Sequence, residues 1–245
     1  MNPRIALATA ARVLTQLRRD PRTLLLLLLV PVVLEALMKG IFWDQPGVFQ
    51  RVGVPLLGIF PMTSMFLVTS ITMLRERTSG TLERLMTMPL AKLDLLLGYA
   101  LAFGAVATLQ GTLVSLFAFG LLDLNVAGSP AAVVALAVLN ALLGTAFGLL
   151  VSAFATTEFQ AVQFMPAFLF PQLLLSGLMV PRERMLSGLE VFSNFLPMTY
   201  AYDALYRVSS SASFSGALAK DVAILVGATL GALILGAATL RRRSG

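Results

Sequence analysis

The chain contains no cysteine and no histidine. The first absence excludes a disulfide framework, a thiolate metal site and a thiol nucleophile. The second removes the commonest metal ligand and general base. Charge is scarce as well: 12% of residues are Asp, Glu, Lys or Arg, about half the roughly 25% usual in soluble domains. No G-x-x-x-x-G-K-S/T string occurs in the 245 residues, so the chain has no phosphate loop of that kind. Enzymes built on metal, thiol or imidazole chemistry drop out on composition alone.

What remains is apolar. Hydrophobic residues make up 58% of the chain and its mean hydropathy is +0.87. A spanning helix needs roughly 20 such residues to cross about 30 Å of hydrocarbon. Six windows qualify, at 22–42, 53–74, 94–121, 131–154, 162–180 and 219–240. They are rich in Leu, Ala and Gly without period-two alternation, which argues against an outer-membrane barrel. The fold class read from the sequence is an all-α membrane protein, one domain over 1–245, with no room for a water-soluble domain.

The first stretch lacks the uninterrupted apolar core of a cleavable signal. Within 1–21, Ala6, Ala10, Val13 and Leu17 recur at helical spacing with Arg4, Arg12 and Arg19 on another side, the pattern of an interfacial helix. A disordered basic tail is the plain alternative. Of the 18 basic residues, 12 fall on one side of the windows (Arg4, Arg12, Arg18, Arg19, Arg22, Arg75, Arg77, Arg84, Lys92, Arg241, Arg242 and Arg243) and six on the other. The positive-inside rule places both termini and the polar segment 75–92 in the cytoplasm. Basic clusters at both ends require an even number of crossings. The formal charge of +6 is spread over membrane flanks, which suits anionic lipid and excludes nucleic acid as a partner.

The polar segment RERTSGTLERLMTMPLAK interrupts the oil at 75–92. Gly80 permits a bend after the second window. Ser79 and Thr81 are candidate N-caps and Glu83 favours a first helical turn, so a short helix is expected at about 81–88, stopped before Pro89. Its apolar face is Leu82, Leu85 and Met86. Periodicity alone leaves open whether this helix docks a soluble partner or lies on lipid.

Residues 181–207 carry too much charge to cross a bilayer, yet Met185, Leu189, Phe192 and Leu196 keep helical spacing and Tyr200, Tyr202 and Tyr206 follow. An amphipathic pair of helices dipping into the outer interface fits; an ordinary outer loop is the alternative. Glu35 is the one carboxylate well inside a window, which makes it a candidate pathway residue. Lys39 stands at i+4 in the favourable order, so a structural Glu35–Lys39 pair is the expectation. Pro31, Pro55, Pro61, Pro166 and Pro171 lie inside windows and are candidate kinks. Gly144 and Gly148 form a G-x-x-x-G, read as close helix packing within the chain.

The string Arg75, Glu76, Arg77, Gly80, Thr81, Leu82, Glu83, Leu85 and Pro89 resembles the cytoplasmic motif E-R-x-x-G-T-L-E-x-L, followed by proline, of ABC-2 type transporter permeases. A second stretch resembles the S-G-x-x-x-P and N-P-x-x-Y elements of that family at Ser176, Gly177, Pro181, Pro197 and Tyr200, with Leu196 where the family often has Asn. The resemblance covers the second window's end through the start of the third, and most of 166–207. It implies a coupling helix near 76–90 that docks on a separate ATPase, two ATPase copies and a second membrane subunit, a homodimer foremost. ATP and magnesium would sit on the partner, with no cofactor on this chain. It also implies re-entrant external helices near 182–206 that gate the exit. The setting it implies is a bacterial cytoplasmic membrane. The subgroup it resembles is the daunorubicin-type drug exporters, with an amphipathic or lipid-like cargo. An ion-coupled secondary transporter working without ATP is the alternative, disfavoured by a single intramembrane acid and no evident repeat.

Overall fold

Proline and polar caps set where the helices begin. In the computed structural model, which describes residues 3–81, 84, 92–212 and 215–239, helix α1 is Pro3–Arg18 and α2 is Pro21–Ile41. Asp20 caps α2, accepting from the Thr23 amide at 3.2 Å and the Thr23 hydroxyl at 2.6 Å, and Pro21 supplies a first-turn residue with no amide to orphan. The same device opens α3 (Pro46–Thr78) and α5 (Pro130–Val151), on either side of α4 (Lys92–Leu121). Helix α6 is Glu158–Leu175, capped by the Thr157 hydroxyl on the Gln160 amide at 3.2 Å. A 3-10 turn at Arg182–Arg184, α7 (Ser187–Ser193), α8 (Pro197–Ser210) and α9 (Gly216–Thr239) follow.

No strand occurs among the described residues. Among the described residues, five helices are long and apolar enough to cross a membrane: α2, α3, α4 from Asp94, α5 and α9. Helix α6, with 18 residues and Gln160, Gln163 and Gln172 on it, falls outside that set. Its bounds also differ from the expected 162–180. The Thr157 cap starts it earlier, and Gly177 at φ 102° turns the chain out of helix soon after Leu175. Helix α3 outruns its apolar window at both ends, reaching 33 residues, because Pro46 begins it early and the charged Arg75–Thr78 turn continues it into the polar layer.

Helices α3 and α5 share the most extensive contact. Between apolar helices in lipid there is little hydrophobic gain, so close backbone approach through small residues decides packing. A Cβ on Gly144 would stand 2.1 Å from the Met62 carbonyl oxygen, and one on Gly148 would stand 2.5 Å from that of Phe66. The G-x-x-x-G therefore packs within the chain, as read from its spacing. Phe168 of α6 joins this seam, 6.0 Å from Phe66 and 5.0 Å from Phe147 between ring centroids.

The helix ends sort into two groups. At one, α1 meets the end of α3 and the start of α4, and the start of α6 meets the end of α3. At the other, the start of α3 holds the α4–α5 loop, with Gln50 Nε2 donating to the Asp123 carbonyl at 2.9 Å and the Asn125 amide donating to Gln50 Oε1 at 2.7 Å. The same loop bonds α8, where the Gly128 amide donates to the Val208 carbonyl at 3.0 Å. We call these the bracket end and the cap end.

Helix α1 buries the stripe that its sequence predicts: Ala6, Ala10, Val13 and Leu17. Protein covers that stripe, since Ala6 and Thr9 lie against Gly98 of α4, where a Cβ would come within 2.4 Å of Thr9.

Candidate functional site

The bracket is built on the last turns of α3. Its three consecutive charged residues point to different neighbours because successive helical positions are about 100° apart. Glu76 turns inward, 6% exposed, and its Oε1 accepts from Arg12 of α1 at 2.9 Å. The same guanidinium donates to the Tyr99 hydroxyl of α4 at 2.6 Å and lies 5.6 Å from the centre of that ring. One buried carboxylate thereby ties α3 to α1 and, through it, to α4. Arg75 turns outward and forms a two-pronged pair with Glu158 at the start of α6, at 2.7 and 3.0 Å. Arg77 is partly buried, and its Nε and Nη2 make no hydrogen bond to a described residue.

Gly80 then takes φ 72°, the left-handed region in which a side chain is strained. The chain bends there as its sequence predicts and is helical again at Thr81, with the Arg84 amide donating to the Gly80 carbonyl at 3.1 Å. The backbone of Gly80 thus starts the new turn. The Ser79 hydroxyl, expected as a cap, lies 3.0 Å from the Thr81 hydroxyl instead. Leu82, Glu83, Leu85, Met86 and Pro89 lie outside the described residues.

At the cap end the second set converges. Ser176 bonds back to the Leu173 carbonyl at 2.8 Å and accepts from the Leu178 amide at 3.3 Å. Gly177, at a φ that strains a side chain, packs tightly on Tyr202, whose ring would lie 3.1 Å from a Cβ. Pro181 leads into the 3-10 turn, from which Arg182 reaches Asp203 of α8 at 2.5 Å and Asn194 at 3.2 Å. Pro197 opens α8 with Leu196 as its cap residue. The Tyr200 hydroxyl donates to the Asn194 carbonyl at 2.7 Å, and the Thr199 hydroxyl to that of Ser193 at 2.8 Å. These bonds fold α7 against α8 as two short helices, so the spacing of Met185, Leu189, Phe192 and Leu196 runs across a break and not along one helix. Leu186, Phe192 and Phe195 remain exposed.

The model of the family described as ABC-2 type transporter matches residues 6–208. The chain belongs to that family. It is 32% identical over 168 residues to the probable multidrug ABC transporter permease YbhR of Escherichia coli strain K12, covering 68% of this chain and 46% of that protein. It is 28% identical over 159 residues to the linearmycin resistance permease protein LnrN of Bacillus subtilis, covering 65% and 40%. ABC transporter G family member 20 of Dictyostelium discoideum is 28% identical over 138 residues, 56% of this chain and 19% of that protein. The chain thus spans less than half the length of these relatives. This ABC-2 family member is a multi-pass membrane protein.

Inside this ABC-2 chain, Glu35 corrects an expectation. It is 0% exposed and neither carboxylate oxygen has a hydrogen-bond partner among the described residues. Lys39 does not pair with it; its ammonium lies 5.1 Å from the centre of the Phe49 ring. The reason is packing: Glu35 is turned onto Gly53 of α3, where a Cβ would be 2.9 Å from Oε1, while the aromatic face holds the cation. Pro31 frees the Leu27 carbonyl from its helical bond, and Gln110 of α4 caps it at 2.5 Å.

Arg12, Tyr99 and Glu158 were missed by sequence reasoning. Arg12 was visible only as one basic residue of an amphipathic helix, and nothing in the local pattern marked Tyr99 or Glu158.

Proposed function

We propose that the chain is the membrane-spanning subunit of an ATP-driven exporter, with α6 as a sixth crossing and both termini in the cytoplasm. At 18 residues α6 reaches roughly 27 Å at about 1.5 Å per residue, close to the hydrocarbon thickness. A separate ATPase, two copies per assembly, holds ATP and magnesium and presses on the segment 75–92. A second membrane subunit, foremost another copy of this chain, completes the path. The cargo is an amphipathic or lipid-like molecule, in keeping with the multidrug and linearmycin resistance permeases to which the chain is similar.

One observation carries this reading. The charged end of α3 is anchored to α1 by a buried ion pair and to α6 by an exposed one, and the bend at Gly80 joins that end directly to the polar segment. A displacement of the segment is therefore transferred to helices that cross the membrane, and it favours one of two bundle arrangements only as far as the ATPase binds one more tightly.

Co-expression with an ATPase encoded beside this chain tests the proposal. The two proteins should co-purify, and Gly80→Trp, which forces a bulky residue into a left-handed backbone, should abolish ATP-dependent efflux. Efflux that persists without any ATPase would overturn the reading.

A further inference from the structure

A groove of about 430 Å³ opens at the bracket end between α1, the start of α2 and the last turns of α3. That volume lies within the range of small-molecule sites. Its wall is apolar where Leu17, Val68 and Ile71 face one another, and its polar side carries Asp20, Glu76 and Arg75. The lining thus holds two carboxylates and one guanidinium; that guanidinium already spends Nε and Nη2 on Glu158, and Arg12 bonds Glu76 from outside the lining.

The carboxylates have capacity left. Glu76 is more than nine-tenths buried, Arg12 occupies its Oε1, and its Oε2, itself shielded, has no hydrogen-bond partner among the described residues. The Tyr99 hydroxyl lies within hydrogen-bonding range of the same carboxylate, while no described residue donates to Oε2 itself. Asp20 sits exposed at the rim, where the bonds from Thr23 hold its carboxyl below the ordinary range and keep it anionic at neutral pH. A carboxylate accepts more than the two bonds that Asp20 receives. A buried acceptor without a donor is unfavourable, and a ligand that brings an N–H or a positive charge relieves it.

We infer that this groove binds an amphipathic amine, with its ammonium group between Glu76 and Asp20 and its apolar body against Leu17, Val68 and Ile71. Resting on the exporter reading, the groove is the loading site for cargo on the inner side. Because Glu76 also anchors the bracket, occupancy is felt by the same carboxylate that links α3 to α1. Arg22 and Arg75 both act on Asp20 through space, so an anionic headgroup is the competing ligand and enters the test as a second probe.

The experiment uses the full chain in phosphatidylcholine nanodiscs without any ATPase. Dansyl-tagged dodecylamine and dansyl-tagged dodecyl phosphate are titrated by fluorescence anisotropy. The amine should bind saturably and the phosphate should not. Thr72→Trp, which fills the groove, and Asp20→Asn should each weaken amine binding by about tenfold or more, some 1.4 kcal/mol per decade. Asn caps a helix as well as Asp does, so Asp20→Asn removes charge without removing the cap and decides the matter if Thr72→Trp fails to fold. Equal or tighter binding of the phosphate probe, or amine affinity unchanged in Asp20→Asn, overturns the inference. The exporter reading fails separately, through loss of ATPase co-purification while amine binding persists.

Discussion

Glu76 and Arg75 are neighbours in the chain but differ in what surrounds them. The Arg12–Glu76 pair has side chains 29% and 7% exposed, whereas those of Arg75 and Glu158 are 61% and 53% exposed. Removing Arg12 strands a buried carboxylate, so Arg12→Ala should lower stability by about 2 to 3 kcal/mol. Arg75→Ala breaks a solvated pair and should cost less than about 1 kcal/mol. Denaturant unfolding in mixed micelles measures both, and equal losses would contradict this ranking. Asp203 offers a titration. Burial holds its carboxyl above the ordinary range, against the pull of Arg182. The folded cap therefore binds that proton more readily than the unfolded chain, and the contribution is full in acid and falls as pH rises through the folded value. Amide protection across α8 should be greater in mild acid than at neutral pH, and Asp203→Asn should flatten the difference. At this scale the sequence was legible in part. Gly80 and Glu76 stand out in a recognisable string, but Arg12 lies 64 positions from Glu76, and Glu158 lies 83 from Arg75. No local spacing encodes such pairs.

Among elements, the contact of α3 with α5 is the most exacting. Gly148→Ala would place a methyl group 2.0 Å from the Thr69 hydroxyl oxygen and 2.5 Å from a backbone carbonyl oxygen, so the helices must part and the protein should lose stability. Gly231→Ala on α9 meets nothing within 4 Å and should gain about 0.5 to 1 kcal/mol from helix propensity alone. Thermal unfolding of the two variants should move in opposite directions. Hydropathy located the apolar helices to within a few residues, except at the ends of α3 and at α6. It marks where a helix is greasy, while Pro46 and Thr157 mark where one begins. The Glu35–Lys39 pair fails to form for a related reason: helical spacing shows which residues can meet, and Phe49 and Gly53 decide that these two do not.

For the whole molecule, the windows of α2 and α9 that qualify as spans are each only 22% buried, so both present long apolar flanks to lipid or to a second copy. The cysteine-free sequence makes topology directly measurable. Single cysteines at Arg84 and at Ser187 should react with an impermeant maleimide from opposite sides of the membrane, and labelling of both from one side would contradict the six-crossing arrangement.

The pair of side-chain-free positions at Gly144 and Gly148 has a mechanical corollary. Two rods interlocked at that spacing can tilt together but can hardly slide, so they form a keel. Any swing between inward-facing and outward-facing shapes then falls to the looser rods at the periphery. On the exporter proposal, spin labels fixed on α3 and α5 should keep their separation whatever nucleotide the partner ATPase holds, while labels on α2 and α9 drift relative to them.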